Sequence, residues 1–378
     1  MMARLGDIAS YINGYAFKPD DWSDEGRPII RIQDLTGNSY QANRFNGICP
    51  EKYNVTDGDI LISWSASLGI FVWHGEDAVL NQHIFKVVFD KAEVDRSFFI
   101  YQVENILENA ANETHGATMK HLTKPIFDAL PFTLPTIEEQ QRIARKLDSV
   151  TQAISLRKQQ LAKLDKLVKS QFVEMFGDCI ENDHKWVVKP LCDVLVAGRT
   201  VTYGIVQTEE DVPDGVPVFR PVDISQGHIP TRNELKRTKK EISDRYKRTL
   251  LSGNELLITV RGSVGETFQT SAEFAGCNVA RNIVPLESNP QILDQAFLKA
   301  VLDSTAFQRK LAELTKGAAL KGINMNEFKL CPIILPALEL QKQYVSFVAQ
   351  ADKSKLAVQQ SLEKLETLRK SLMQRYFG

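Results

Sequence analysis

The chain has 378 residues, 43% hydrophobic and 25% charged, with a formal net charge of −1. That length accommodates two domains with separate cores, and the balanced charge excludes bulk electrostatic attraction to nucleic acid, so any DNA-binding surface must arise from local asymmetry. No apolar run approaches the roughly 20 residues of a membrane span, and MMARLGDIAS lacks the apolar core of a signal peptide, which predicts a cytoplasmic protein with no membrane partner.

From Leu5 to about Pro135 the chain is β-rich and irregular, with short apolar runs (RPIIRIQDL, GDILISW, HIFKVVF) separated by Gly, Asn and Asp signals. One helix stands out there, DRSFFIYQVENILENA, with Asp95 placed to cap its first turn. LPTIEEQQRIARKLDSV then opens a long helix, with Thr136 and Glu139 at capping-box spacing behind Pro135. From there to Phe176 the sequence has neither Pro nor Gly, enough for roughly 60 Å of helix at 1.5 Å per residue. Its apolar residues keep a heptad seam: Ile143, Leu147, Val150, Ile154, Leu161, Leu164, Val168 and Met175, interrupted by Arg157 and Gln171.

The second half repeats this order. VPVFRPVDI, NELLITV and RNIVPLE read as strands, DQAFLKAVLDSTAFQRKLAELT as a helix from Asp294, and a second long helix follows Pro336. The second helix carries the seam Tyr344, Val348, Ala351, Val358, Leu362, Leu365, Leu372 and Tyr376, interrupted by Lys355 and Arg369. LAKLDKLVKSQFVEMFG at Leu161–Gly177 returns as LEKLETLRKSLMQRYFG at Leu362–Gly378, with eight of seventeen positions identical and no gap. The same offset lays HGATMKHLTKPIFDALPFTLP over KGAALKGINMNEFKLCPIILP, with Lys120 on Lys321 and Phe127 on Phe328. The chain is therefore an internal duplication: mixed α+β modules over 1–136 and 178–336, each followed by a helical segment, 137–177 and 337–378. Pseudo-twofold symmetry predicts that the two helices pair as an antiparallel coiled coil with the modules at opposite ends; packing of each helix on its own module is the alternative.

Catalytic signatures are missing. Asn289-Pro290 is followed by Gln291 where an adenine methyltransferase needs Pro and an aromatic, and no FxGxG or GxxxxGK[ST] occurs. The six histidines form no HExxH or i,i+4 pair. The five cysteines (Cys49, Cys179, Cys192, Cys277, Cys331) are dispersed and never in a CxxC pair, which predicts buried, unreactive thiols.

Matched tracts bring polar side chains of nucleic-acid-binding type to equivalent positions in the two modules. Arg31 and Asp34 lie over Arg220 and Asp223; such arginines could read guanine or clamp phosphate, or pair internally with the aspartate three residues on. ISWSASLGIF lies over ITVRGSVGET, matching Trp64, Ser65 and Ser67 to Val260, Arg261 and Ser263. LNQHI over VARNI matches Gln82 and His83 to Arg281 and Asn282, side chains able to address base edges. The run TRNELKRTKKEISDRYKR, with Lys236 and Lys239 near its centre, holds eight Lys/Arg against three Asp/Glu and suits either phosphate contact or a solvated face. Lys120 and Lys321 are further phosphate candidates.

Two variable β-rich modules, each followed by a helix that an LPxxxEQxxIAxxLD-like signature introduces (LPTIEEQQRIARKLD from Leu134, the weaker LPALELQKQYVSFVAQAD from Leu335), resemble the specificity (S) subunit of type I restriction-modification systems. The second module's RGSxG turn also fits that family; the first departs from it, with Ser65 and Ala66 in place of Arg and Gly. The resemblance implies two target recognition domains reading halves of a split double-stranded DNA target, with the helices as spacer and docking surface for two methyltransferase subunits. It places S-adenosylmethionine in those subunits, implies further restriction (translocase/nuclease) subunits, and gives this chain no cofactor, metal or catalysis. The residues alone also admit a duplicated coiled-coil adaptor whose modules bind proteins, which the near-neutral charge favours.

Overall fold

A computed structural model describes residues 2–38, 43–65, 67–113, 123–209, 211–224, 230–316 and 322–378. The chain divides into two compact units: Met1–Lys158 with Gln359–Gly378, and Gln159–Val358. Each long helix thus gives one half to each unit.

Unit 1 runs β1 (Met2–Arg4), α1 (Leu5–Ile8), β2 (Ser10–Asn13), β3 (Arg27–Ile30), α2 (Ile32–Leu35), β4 (Arg44–Phe45), β5 (Asn54–Val55), β6 (Ile60–Ser63), β7 (Gly69–Val72), β8 (Ala78–Leu80), β9 (Ile84–Val88), α3 (Arg96–Glu113), α4 (Lys124–Asp128), β10 (Pro131–Thr133) and the first half of α5 (Ile137–Phe176). Its strands form an antiparallel sheet in the order β2-β9-β6-β7 and a mixed sheet β4-β3-β8-β5, in which β3 and β8 are parallel. β1 pairs with β10 and returns the chain to the start of α5.

Unit 2 repeats the plan with β11 (Val187–Pro190), β12 (Val216–Phe219), α6 (Pro221–Ile224), β13 (Arg237–Thr238), α7 (Lys240–Asp244), β14 (Leu256–Thr259), β15 (Thr267–Gln269), β16 (Asn278–Val279), β17 (Ile283–Leu286), α8 (Gln295–Asp303), α9 (Thr305–Leu314), β18 (Thr315–Lys316), β19 (Gly322–Ile323), α10 (Met325–Lys329), β20 (Pro332–Leu335) and α11 (Leu338–Phe377). Its sheets are β15-β14-β17 and β13-β12-β16, with β12 and β16 parallel, and β11 pairs with β20. The central strands ILIS (β6) and LLIT (β14) are buried at every position, as expected of strands covered on both faces.

Two differences from the sequence expectations have local causes. The helix read as continuous from Asp294 breaks at Ser304, whose extended backbone (ψ 147°) ends α8 and whose hydroxyl caps α9 by accepting the Phe307 N–H. Cys192 is exposed, unlike the other four cysteines, because it sits at the surface of a short 3₁₀ turn.

In each unit the helical segments run antiparallel. Within unit 1, Lys146 Nζ meets Tyr376 Oη at 3.5 Å and Lys158 pairs with Glu366 at 3.2 Å; within unit 2, Asp165 pairs with Lys355 at 2.7 Å and the Tyr344 hydroxyl donates to the Val168 carbonyl at 3.3 Å. Every seam residue read from the sequence is buried or half-buried, while most neighbouring positions face solvent. The helices also belong to the module cores. Ile143 and Leu147 of α5 join Phe98, Phe127, Phe132 and Met373 in unit 1, and Phe172, Phe176 and Tyr344 join Phe297 and Phe328 in unit 2. Helix pairing and packing on the module are thus both realised.

The repeat extends to single contacts. Phe377 lies 5.4 Å from Phe98, and Phe176 lies 4.8 Å from Phe297. Buried Gln140 accepts the Asp95 N–H (2.9 Å) and donates to the Pro135 carbonyl (3.0 Å). Buried Gln341 accepts the Asp294 N–H (2.8 Å) and donates to the carbonyls of Pro336 (2.8 Å) and Ile292 (3.1 Å). In both units one amide ties the start of a module helix to the turn before the long helix, satisfying backbone groups that burial would otherwise strand. Asp95 and Asp294 cap those module helices, Asp95 accepting the Phe98 N–H. At the start of α5, Thr136 accepts the Glu139 N–H at 3.4 Å, while the Glu139 carboxylate turns to Arg142 instead of completing a capping box.

Candidate nucleic-acid interface

In unit 1 the parallel strands β3 and β8 end side by side and release two loops from one sheet edge. Arg31 follows β3 and Gln82 lies just beyond β8; the Asn81 N–H donates to the Ile30 carbonyl (3.2 Å) and the Gln82 N–H to the Tyr15 carbonyl (2.9 Å). The Arg31 guanidinium stands 5.6 Å from the Trp22 ring centre, and its backbone N–H is held by the Asp34 carboxylate at 2.8 Å. His83 turns the chain into β9 at φ 73°, in the left-handed region that favours glycine. Its carbonyl accepts the Trp64 N–H at 3.3 Å. The Trp64 indole stacks on Phe85 (5.6 Å, 21°), leans on the His83 ring (4.9 Å) and donates Nε1–H to Asn13 (3.1 Å). The Ser63 hydroxyl donates to the Ser67 carbonyl, with Ser65 buried and Ser67 exposed. Arg31, Trp64, Ser65, Ser67, Gln82 and His83 therefore share one edge of the module.

Unit 2 builds the same edge from different side chains. Arg220 follows β12, and Arg281 lies just beyond β16; the Ala280 N–H donates to Phe219 (2.9 Å), the Arg281 N–H to Ile205 (2.8 Å), and the Val260 N–H to Asn282 (2.8 Å). The Thr259 hydroxyl donates to the Ser263 carbonyl, repeating the Ser63–Ser67 staple at matched positions. Gly262 and Gly265 take φ 79° and 95°, which only glycine adopts without strain. Exposed Arg261 projects between them and β14, its guanidinium 6.0 Å from the Tyr203 ring centre. Arg281 and Ser263 are also exposed, and Asn282 is half-buried.

The matched arginines differ. Arg220 is bidentate on Asp223 (3.1 and 2.8 Å), whereas Asp34 takes the backbone of Arg31 and leaves its guanidinium to Trp22. In the basic run, Lys236 Nζ donates to the Glu209 carbonyl (2.6 Å), Lys239 pairs with the Glu209 carboxylate (3.2 Å) and Arg232 donates to the carbonyls of Glu273 and Ala275. Lys240, Arg245, Lys247 and Arg248 of the same run are exposed. Lys120 and Lys321 lie outside the described residues. Among the described residues no group of three His, Cys, Asp or Glu side chains is placed to hold a metal ion, and no helix is long and apolar enough to cross a membrane.

A buried charge cluster closes the other end of the β14–β17 pair, beyond Leu256 and Leu286. Glu255 is fully buried; burial alone would raise its carboxyl, but hydrogen bonds from Ser252 (N–H 2.6 Å, hydroxyl 2.8 Å) and from the Gly253 N–H (3.0 Å) outweigh it and hold the group below the ordinary carboxylate range. Arg199 closes the cluster by pairing with both Glu255 and Glu287. Sequence reasoning missed the stacking partners Trp22 and Tyr203, the Asn13 acceptor and the hydroxyl staples. Only the staples left a readable trace, a Ser over a Thr four residues before a matched Ser.

The family model for the type I restriction modification DNA specificity domain matches residues 1–166 and 183–367. The chain is 27% identical over 403 residues to the type I restriction enzyme EcoBI specificity subunit of Escherichia coli, covering 99% of this chain and 84% of that protein. It is 21% identical over 402 residues to the MjaVIII specificity subunit of Methanocaldococcus jannaschii, covering 98% and 90%. The fold is similar to the crystal structure of the type I restriction-modification S subunit from M. genitalium, with a TM-score of 0.58 at 14% identity over 100% of this chain and 96% of that one. Two copies of the specificity-domain match on a duplicated scaffold leave one assignment: the chain belongs to the family of type I restriction-modification DNA specificity subunits.

Proposed function

We propose that this chain is the recognition subunit of a type I restriction-modification complex and that each module reads one half of a bipartite, asymmetric double-stranded DNA target. The observation that carries the reading is the pair of matched edges. The same strand ends and hydroxyl staples present Trp64, Gln82 and His83 in one module and Arg261, Arg281 and Asn282 in the other, while the matched neighbours Ser65, expected as a contact, and Val260 are buried beneath them. One scaffold bearing two sets of side chains suits two different half-sites. Exposed Arg261 and Arg281 suit the O6 and N7 acceptors of guanine, Gln82 and Asn282 suit adenine, and Trp64 offers an apolar contact. Lys236 and Lys239, with Lys120 and Lys321, are assigned to phosphates, which position the protein without encoding sequence.

Catalysis on this reading belongs to partners. Two methyltransferase subunits dock around the paired helices and bring S-adenosylmethionine, and restriction requires further translocase and nuclease subunits. The test is long-read methylation sequencing of a methylation-free host expressing the partner methyltransferase with and without this chain. A bipartite methylated motif is expected only when both are present. An unmethylated genome from a well-expressed pair would overturn the assignment.

A further inference from the structure

The duplication supplies an internal comparison for the place where each module helix meets the two long helices. In unit 1 that space is filled. Tyr101 of α3 donates its hydroxyl to Asp148 Oδ1 (2.9 Å) and Thr151 Oγ1 (3.2 Å) of α5, and Arg369 of α11 pairs with Glu104 at 2.6 Å. The repeat-related residues in unit 2 are Ala300 for Tyr101, Ala349 for Asp148, Asp352 for Thr151, Val168 for Arg369 and Asp303 for Glu104. All five line a cavity of about 580 Å³ within unit 2. Replacement of a phenol by a methyl group and of a guanidinium arm by an isopropyl group removes what fills the site in unit 1. The phenol that lines this cavity in unit 2, Tyr344, does not replace it, because its hydroxyl is committed to the Val168 carbonyl.

The walls define what would fit. Phe172, Val168, Ala300 and Ala349 present an apolar surface that favours burial of a ring. Of the carboxylates at the cavity, Asp303 is bound by Lys299 and by the Thr267 hydroxyl (2.6 Å), and Asp165 by Lys355 (2.7 Å). Asp352 keeps only a 3.3 Å contact with Lys355, so among these acceptors it has the most capacity for a further donor. It occupies the position of Thr151, one of the two acceptors for the phenol in unit 1. We propose that this cavity is a receptor site for a phenolic ring whose hydroxyl donates to Asp352.

The site is tested on the full chain by saturation-transfer NMR titration with p-cresol, toluene and N-acetyl-tyrosinamide. p-Cresol is expected to bind about tenfold more tightly than toluene, the equivalent of one hydrogen bond to a charged acceptor. Asp352→Ala, at an exposed position, is expected to reduce p-cresol to the affinity of toluene. Ala300→Tyr, which builds the missing ring in place, is expected to abolish binding of all three. Binding of N-acetyl-tyrosinamide as strong as that of p-cresol identifies a protein tyrosine as the natural occupant, and binding of p-cresol alone a free phenol. Equal affinity for toluene and p-cresol in the wild type, or p-cresol affinity unchanged in Asp352→Ala, would overturn the proposal.

Discussion

Replacing Gln341 with leucine tests how the module is fastened to its helix. The change keeps the approximate volume of a fully buried side chain but removes an acceptor for the Asp294 N–H and a donor shared by the carbonyls of Ile292 and Pro336. Three hydrogen bonds of ordinary geometry, each worth about 1 kcal/mol net and more where a partner is left buried, give an expected loss of about 3 kcal/mol. Gln140 makes two such bonds, so Gln140→Leu is expected to cost about 2 kcal/mol, and the two losses should add because the residues serve separate units. Urea unfolding of both single variants and the double variant supplies the magnitudes. Hydrogen exchange supplies the location, with faster exchange expected at the Asp294 and Asp95 amides. Losses below about 0.5 kcal/mol, or protection unchanged at those amides, would refute the view that the glutamines are the clamps.

The Glu255 carboxyl is held below its unfolded value, so its contribution to stability is full above about pH 4.5 and is lost as pH falls through the depressed folded value. Glu255→Gln is therefore expected to destabilise unit 2 at pH 7 by about 3 kcal/mol, because it leaves Arg199 short of a buried partner, and to flatten the acid limb of a thermal-melt pH series. Arg261→Ala is expected to relax the half-site read by the second module at one base pair, a discrimination of about 1–3 kcal/mol, and to leave the other half-site intact; methylome sequencing reads both halves at once. Insertion of one heptad into each of α5 and α11 is expected to change the number of unspecified base pairs between half-sites and preserve both halves. Methylation of the unchanged target by that variant would count against the helices as the ruler.

The long helices were legible because a 3.5-residue period over forty residues has no competing explanation, and the duplication because eight matched residues survive in its most regular segment. The modules were legible only as a texture. Their parallel strand pairs join residues some fifty or sixty positions apart, Ile29 with Val79 and Val218 with Asn278, and no local pattern encodes such a pairing. Gln140 read as part of a helix-opening signature; that its amide reaches Asp95 depends on tertiary packing. The break at Ser304 was masked by good helix formers on either side, since a serine shows its capping role only once the backbone has left the helix. Matched tracts identify the equivalent loops on which the candidate residues lie, while the partners Trp22 and Tyr203 reach those loops only through tertiary packing.

Unit 1 is assembled from Met1–Lys158 and Gln359–Gly378, with Met373 in its core and Phe377 against Phe98. During synthesis, the module made first must therefore wait for a helix end that emerges only after the whole of Gln159–Val358 has been translated, an interval of about 10–40 s at ordinary elongation rates. Over that interval the apolar face awaiting Met373 and Phe377 is open to chaperones and to the nascent chains of neighbouring ribosomes. A frameshift or stop codon near residue 359 would consequently injure the module encoded farthest from it, and spare the one next door.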